Sequence, residues 1–485
     1  MIFDTGSEVL FQMKFSWERL LCAERERSNI SANPLDIRTE FRKDYHRIIG
    51  SASFRRLQDK AQVYPLYRGD FVRTRLTHSL EVSSFACSLG NTIFRRLIDA
   101  GTPEVTEVVR ENCADILECA GLIHDIGNPP FGHFGEFAIR QWFSDNLARL
   151  EFKGKSANEL LTEQMKADFL NFEGNAQALR LLSRLHCLID METGMNLTFA
   201  LLNTIIKYPT NSLEIDKKCG NICRKKMGYY LAEEELFREI TEKTGVGNSR
   251  YPLTFILESA DDIAYKTADL EDAAVKGLLP FITLVEELRS EKYRAKCRTD
   301  EEAAELENAA NALLHSKESA EKFGMKDAGV RAVSRWIVKM QNKLIYAASD
   351  AFCSNYEKIM NGELYEELLA VTNVRVLADA FSDIAYRYAF RSAGIVRNEL
   401  SEDAVMSFLL DKITRAALSF DTENMRGYER DLTEVLSENY LEICKKSREG
   451  KSDSEQCYRR LLFATDCVCG MTDGYAKDFY HTLKG

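Results

Sequence analysis

Helix breakers are so scarce in this chain that a mainly helical fold is the one its pattern supports. Eight prolines and 26 glycines are spread over 485 residues. Leu, Ala, Glu, Lys and Arg, which lose little side-chain freedom in a helix, are abundant. Leu76, Leu80, Phe85, Leu89, Ile93 and Leu97 recur at helical spacing through a stretch without proline. Ile116, Ala120 and Ile123 mark a second helix over 112–126, which Gly127 and then Asn128-Pro129-Pro130 stop. Further helices are predicted at 136–147, 173–189, 197–207, 252–276, 300–322, 327–360 and 373–390. The last hundred residues read as helices with polar breaks. Segments of strict alternation are short and few, so the expected class is all-α.

Size and charge narrow the possibilities. By length alone the chain could hold roughly two to four domains. A formal charge of −11 argues against a broad nucleic-acid-binding coat. Only the local cluster Lys217, Lys218, Arg224, Lys225 and Lys226 offers such a surface, and a charge run of this kind is usually just solvated. No apolar stretch approaches the ~18 residues of a membrane span, so no membrane partner is expected. The thirteen cysteines have no repeating frame and are expected to be reduced thiols in a cytoplasmic protein. Cys219/Cys223 and Cys467/Cys469 lack the second pair, or the histidine at finger spacing, that a structural zinc needs. The stretch 209–230 is polar and basic and is expected to be an exposed excursion. Residues 1–12 stand apart. Ser7-Glu8-Val9-Leu10-Phe11-Gln12 resembles the recognition sequence of a viral protease used to remove purification tags, and Met13-Lys14-Phe15 reads as a natural start. The first twelve residues are therefore expected to be an appended leader.

Chemistry concentrates in a few places. His124 and Asp125, expected in the last turn of the second helix, offer an imidazole nitrogen and a carboxylate oxygen to one point, a donor set suited to Zn, Mn, Fe or Mg. Of only seven histidines, His78, His124 and His133 lie within one short part of the chain. Each has apolar or small neighbours, where a polar ring needs a partner. His133 is expected at the tip of the loop leaving the His124 helix, with Glu136 in the first turn of the next. Along 252–276, Ile256, Ala260, Ile263, Thr267 and Leu270 form the apolar side. Beside it, Asp261, Tyr265 and Asp269 fall at i, i+4 and i+8 on one continuous face. Two carboxylates and a phenol on a half-buried face suit a ligand better than a core. A solvated acidic face running on into Glu271 and Asp272 is the plainer alternative.

The blocks Phe54 to Val63, Phe71 to Val82, His124 to Glu136 (HDIGNPPFGHFGE), Phe172 to Gln177 and Glu258 to Tyr265 carry a resemblance. They contain the H…HD…D signature of HD-superfamily metal-dependent phosphohydrolases, and in order and detail resemble the bacterial deoxyguanosinetriphosphate triphosphohydrolases over about residues 40 to 275. That family cleaves a deoxynucleoside triphosphate to deoxynucleoside and intact tripolyphosphate, with water attacking the α-phosphorus. The resemblance implies an HD-domain core over 13–295 with a helical region, 296–485, packed on it. It implies one divalent ion, Mn or Mg, held by His78, His124, Asp125 and Asp261, and a catalytic pair His133 and Glu136. A triphosphate brings roughly four negative charges that cations must meet. Arg75, on the face of His78, and Lys207 with Tyr208 are the residues expected to do so. Tyr265 is expected to pack on the deoxyribose where a 2′-hydroxyl would not fit. Gln62 and Asp269 match positions that hold the 3′-hydroxyl, and Asn128 and Asn175 match polar positions nearby. dGTP is the expected best substrate. A homohexamer built from dimers, with single-stranded DNA or a nucleotide as effector, is the assembly the resemblance suggests.

Three other readings compete. An allosterically activated enzyme of broader dNTP range would share every motif. A nucleotidase or cyclic-nucleotide phosphodiesterase would share the metal signature, but not the GNPPFGHFGE block or the Tyr265/Asp269 spacing. A regulatory module that senses nucleotides without turnover would have no need for all four ligands and the His133/Glu136 pair.

Overall fold

In a computed structural model the chain is described over residues 13–28, 35–62, 73–187, 190–390 and 393–485, with only the backbone given for 393–398. Residues 1–12, expected to be an appended leader, and the motif residues Val63, Phe71 and Val72 lie outside the described residues. The fold is all-α. Among the described residues the only paired strands are the two-residue segments Glu151–Phe152 and Lys155–Ser156.

The helices that position the site are α1 (Glu40–Ile49), α2 (Arg75–Asp99), α3 (Glu107–Ile123), α4 (Gly132–Asn146), α5 (Gly174–Arg184), α6 (Phe199–Ile205) and α7 (Pro252–Val275). Five others matter here: α8 (Ala328–Ser354), α9 (Arg375–Ala385), α10 (Ala393–Ser419), α11 (Asp453–Cys469) and α12 (Asp473–Lys484). Local chemistry sets several boundaries. Thr74 and Thr77 cap the start of α2 reciprocally, the Thr106 hydroxyl accepts the Val109 N–H at the start of α3, and Pro252 opens α7. Each helix then buries its apolar stripe, Val82, Ala86, Leu89, Ile93 and Leu97 on α2 and Ile116, Ala120 and Ile123 on α3.

The closest packing is between α2 and α3. A Cβ on Gly121 would sit 2.4 Å from the Cα of Ser83, so glycine is what lets the two backbones meet. α7 packs across α2 and α8, while α10 packs on α4 and α11. One contiguous apolar cluster runs from Phe15 near the start to Phe479 in α12. Arg180 on α5 is buried within it, pairing with Asp466 on α11 and with Glu233, both at 2.8 Å. No helix among the described residues is long and apolar enough to cross a membrane. All thirteen cysteines are free.

Several expectations need correction. The second helix ends at Ile123, so His124 caps it and Asp125 belongs to the turn beyond. The next helix starts at Gly132, placing His133 within its first turn rather than at a loop tip. Two successive positive φ angles, 63° at Phe131 and 59° at Gly132, reverse the chain sharply enough for this early start. The helix expected at 327–360 breaks after Ser354 and resumes at Tyr356, and that expected at 373–390 becomes a π-turn at Tyr386–Phe390. The stretch 209–230 is only in part an exposed excursion: Lys217, Lys218, Arg224 and Lys225 are exposed, but Thr210, Ser212, Met227, Tyr229 and Tyr230 towards its ends are buried. Tyr229 stacks on Phe237 with ring centroids 4.1 Å apart, and that apolar contact draws the basic segment back over the protein.

Candidate active site

The close approach of α2 and α3 brings His78 and His124 together, their ring centroids 5.3 Å apart. His124 Nδ1 lies 2.8 Å from the Gly121 carbonyl, which assigns the proton to Nδ1 and leaves a lone pair on Nε2. That Nε2 is buried and makes no hydrogen bond. It stands 3.4 Å from Asp261 Oδ1 and 3.7 Å from Asp125 Oδ1. His78 Nε2 is 3.1 Å from the same Asp261 oxygen. Ligand atoms of His78, His124 and Asp125 all fall within 4.8 Å of one another. An orphaned imidazole lone pair aimed at carboxylate oxygens is a poor arrangement by itself and a good one around a divalent cation. The residues present fit a metal.

Cationic side chains hold both carboxylates in the charged form. Arg75 pairs with Asp125, and the Asn128 amide donates to its other oxygen at 2.6 Å. Burial pushes the Asp125 carboxyl up, but Arg75 and the two imidazoles outweigh it and hold it well below the usual range. Asp261 is likewise held low against burial, chiefly by Lys207 at 3.2 Å. Lys207 also pairs with Glu258 at 2.9 Å. Burial lifts the Glu258 carboxyl to about 7 despite Lys207 and Arg250.

A second pair faces this cluster. His133 Nδ1 is 3.0 Å from Glu136 Oε2, and Glu136 Oε1 accepts the Gly174 N–H at 2.8 Å. Glu136 is buried, whereas the His133 side chain is 74% exposed, so its ring is open to an incoming molecule. Although burial opposes it, the His133 hydrogen bond keeps the Glu136 carboxyl below its usual value. Glycine is required at 174: a Cβ there would lie 2.2 Å from Asn128 Oδ1 and 2.9 Å from Glu136 Oε1.

These groups border one polar cavity of about 350 Å³. Gln62, Arg75, Asp125, Asn128, His133, Glu136 and Asn175 line it. Lys207, Tyr208, Asp261 and Tyr265 complete the predicted set, while His78 and His124 are buried beneath. Gln62 Oε1 and Arg75 Nε are buried without a hydrogen bond. Asp269 does not line the cavity; it is buried one turn beyond Tyr265, with Oδ2 making no hydrogen bond. Asn175 donates to Glu173 at 2.8 Å.

Other lining residues were missed. Glu258, three residues before Asp261, shares its helical face and was legible in principle. Lys226 lay hidden in a run read as solvated, yet it pairs with Glu173 at 2.7 Å. Phe390 emerges from the π-turn with its ring centroid 6.2 Å from that of Tyr265, and Glu367 arrives from a loop; neither has a local sequence signal.

The HD-domain family model matches residues 75–202. A deoxyguanosinetriphosphate triphosphohydrolase-like protein of Listeria monocytogenes is 42% identical over 97% of this chain and 99% of its own length. A protein of the same description from Synechocystis is 32% identical over 97% of this chain and 99% of its own. The deoxyguanosinetriphosphate triphosphohydrolase of Serratia proteamaculans is 32% identical over 98% of this chain and 99% of its own.

Proposed function

We propose, because this chain belongs to the deoxyguanosinetriphosphate triphosphohydrolase family of HD-domain hydrolases, that it cleaves deoxynucleoside triphosphates, dGTP best, to deoxynucleoside and tripolyphosphate. The observation that carries the reading is the unpartnered His124 Nε2 facing Asp261 and Asp125 beneath a polar cavity with His133–Glu136 at its edge. His78, His124, Asp125 and Asp261 are the residues that would hold one Mn or Mg. An ion held there would supply Lewis acidity toward the α-phosphoryl group and would make nearby water more acidic.

The chain's own groups do the rest. Arg75 and Lys207 are paired with carboxylates, and a triphosphate carrying roughly four negative charges offers them further charge-assisted bonds. Tyr208 and Lys226 border the same space. His133, its Nδ1 held by Glu136, presents Nε2 to the reacting oxygens and exchanges a proton there, while the Glu136 carboxylate steadies the imidazolium. Gln62 Oε1, an acceptor without a donor, suits the 3′-hydroxyl, and Asp269, buried one turn beyond Tyr265 with an unpartnered Oδ2, is assigned to the same group by the family resemblance. The amides of Asn128 and Asn175 hold Asp125 and Glu173.

Tyr265 lines the cavity, and its proposed role is to pack on the deoxyribose where a 2′-hydroxyl would not fit. With Tyr265→Ala, ribonucleotide hydrolysis is expected to rise relative to deoxynucleotide hydrolysis in parallel kcat/KM measurements. Equal fractional losses on both substrates would limit Tyr265 to packing.

The assembly is proposed as a cytoplasmic homohexamer, with residues 13–295 as the catalytic unit and 296–485 packed on it. The cluster Lys217, Lys218, Arg224, Lys225 and Lys226, exposed at all but Lys226, is the surface proposed for a single-stranded DNA effector. A stable monomer by sedimentation under assay conditions would contradict the hexamer. Substrate choice is tested by release of tripolyphosphate from each dNTP, singly and in pairs, with Mn and with Mg. Turnover of dGTP alone, well above the others, supports the reading. Activity in mixtures only would replace it with an activated dNTPase of broader range.

A further inference from the structure

The last two helices reach into the turn that joins the two halves of the site. Lys60 is 3% exposed. Its ammonium donates to the carbonyl of Asn128 at 2.6 Å and to that of Cys469, the last residue of α11, at 2.8 Å. Asp473, the first residue of α12, accepts the N–H of Ala61 at 2.8 Å and the N–H of Phe131 at 2.9 Å, one on each oxygen. Two buried ionisable side chains are thus committed to backbone groups of the segment 60–61, the turn 128–131 and the end of α11. Neither lines the cavity.

The clamped turn is short and strained. At one end Asn128 bonds Asp125; at the other Phe131 holds a φ of 63° two residues before His133. A bulky residue stays in the left-handed region only where its surroundings over-determine it, and the Asp473 bond to its N–H does part of that. The start of α2 is tied to the same point, because the Arg75 N–H donates to the Lys60 carbonyl at 2.9 Å, three residues before His78.

We propose that Lys60 and Asp473 are positioning residues through which α11 and α12 fix the spacing between the His124–Asp125 pair and the His133–Glu136 pair. This rests on the reading that both pairs act in one hydrolytic step. Neither residue touches the reacting atoms. What they set is where the turn delivers His133, and a displacement of about 1 Å in such a group can cost on the order of 10²-fold in rate.

A double-mutant cycle on the full chain, with dGTP and Mn, tests this. Asp473→Asn keeps the shape of the side chain but replaces one of the two acceptor oxygens by a donor facing an N–H. It is expected to lower kcat about 10–100-fold while KM and bound Mn stay within about twofold. In a His133→Ala background the same change is expected to cost less than about threefold, since the group it positions is gone. Lys60→Met, taken through the same cycle, is expected to show the same coupling, and it decides the matter should Asp473→Asn fail to fold. Thr472→Ala loosens the cap of α12 without touching the clamp and is expected to keep kcat within about twofold. Equal fractional losses from Asp473→Asn in both backgrounds would overturn the proposal, as would a Thr472→Ala loss as large as that of Asp473→Asn. A His133→Ala protein with undiminished kcat would remove the functional reading itself, and the proposal with it.

Discussion

Asp125→Ala is expected to lose its metal and, with it, turnover by about 10³-fold or more, because the ion's charge stabilisation of the transition state amounts to several kcal/mol. Metal content after gel filtration and dGTP turnover, measured on one preparation, check both halves. The substitution also strands Arg75, whose side chain is only 5% exposed and which is paired with Asp125. Removing one partner of a buried pair costs about 3–5 kcal/mol, so a lower melting temperature should accompany the loss. Asp125→Asn separates the two effects. It retains an oxygen for the Asn128 amide and the local shape, and should melt closer to the parent while still failing to hold the ion. An Asp125→Asn protein with full metal and full activity would exclude Asp125 as a ligand.

His133→Ala is expected to behave in the opposite way. Its side chain is 74% exposed and pairs with Glu136 alone, so little stability depends on it. Bound metal and KM should change little, while kcat falls by about 10²–10⁴-fold, the range for a positioned acid–base group. The two variants together separate metal retention from proton transfer. If His133→Ala shed the metal and Asp125→Ala kept it, the roles assigned to the two pairs would be reversed.

Much of this was legible in the chain because helical periodicity survives in the stripes of α2 and α3 and in the i, i+4, i+8 face of α7. Those patterns put His78, Asp261 and Tyr265 on the right elements. The exact start of α4 was not legible. It depends on a positive φ at Phe131, which nothing in a phenylalanine announces, and so His133 was expected in a loop. The basic segment 209–230 misled for a different reason. Its composition suggests solvent, and Lys217, Lys218, Arg224 and Lys225 are exposed, but Met227, Tyr229 and Tyr230 are buried, Tyr229 against Phe237 and Tyr230 with its hydroxyl on Gln177. Long-range closure also hides Phe390 and the Arg250–Glu367 pair at 3.0 Å, whose members lie more than a hundred residues apart. Lys60 sat inside a recognised motif, yet its acceptors, the carbonyls of Asn128 and Cys469, exist as a pair only in the folded chain.

In the proposed reaction water attacks the α-phosphorus and releases the triphosphate whole. The most direct test is hydrolysis of dGTP in ¹⁸O-labelled water with Mn, followed by mass spectrometry of the products. Deoxyguanosine without label and tripolyphosphate carrying one ¹⁸O are the result expected here. Orthophosphate or pyrophosphate, appearing with dGDP or dGMP, would contradict it.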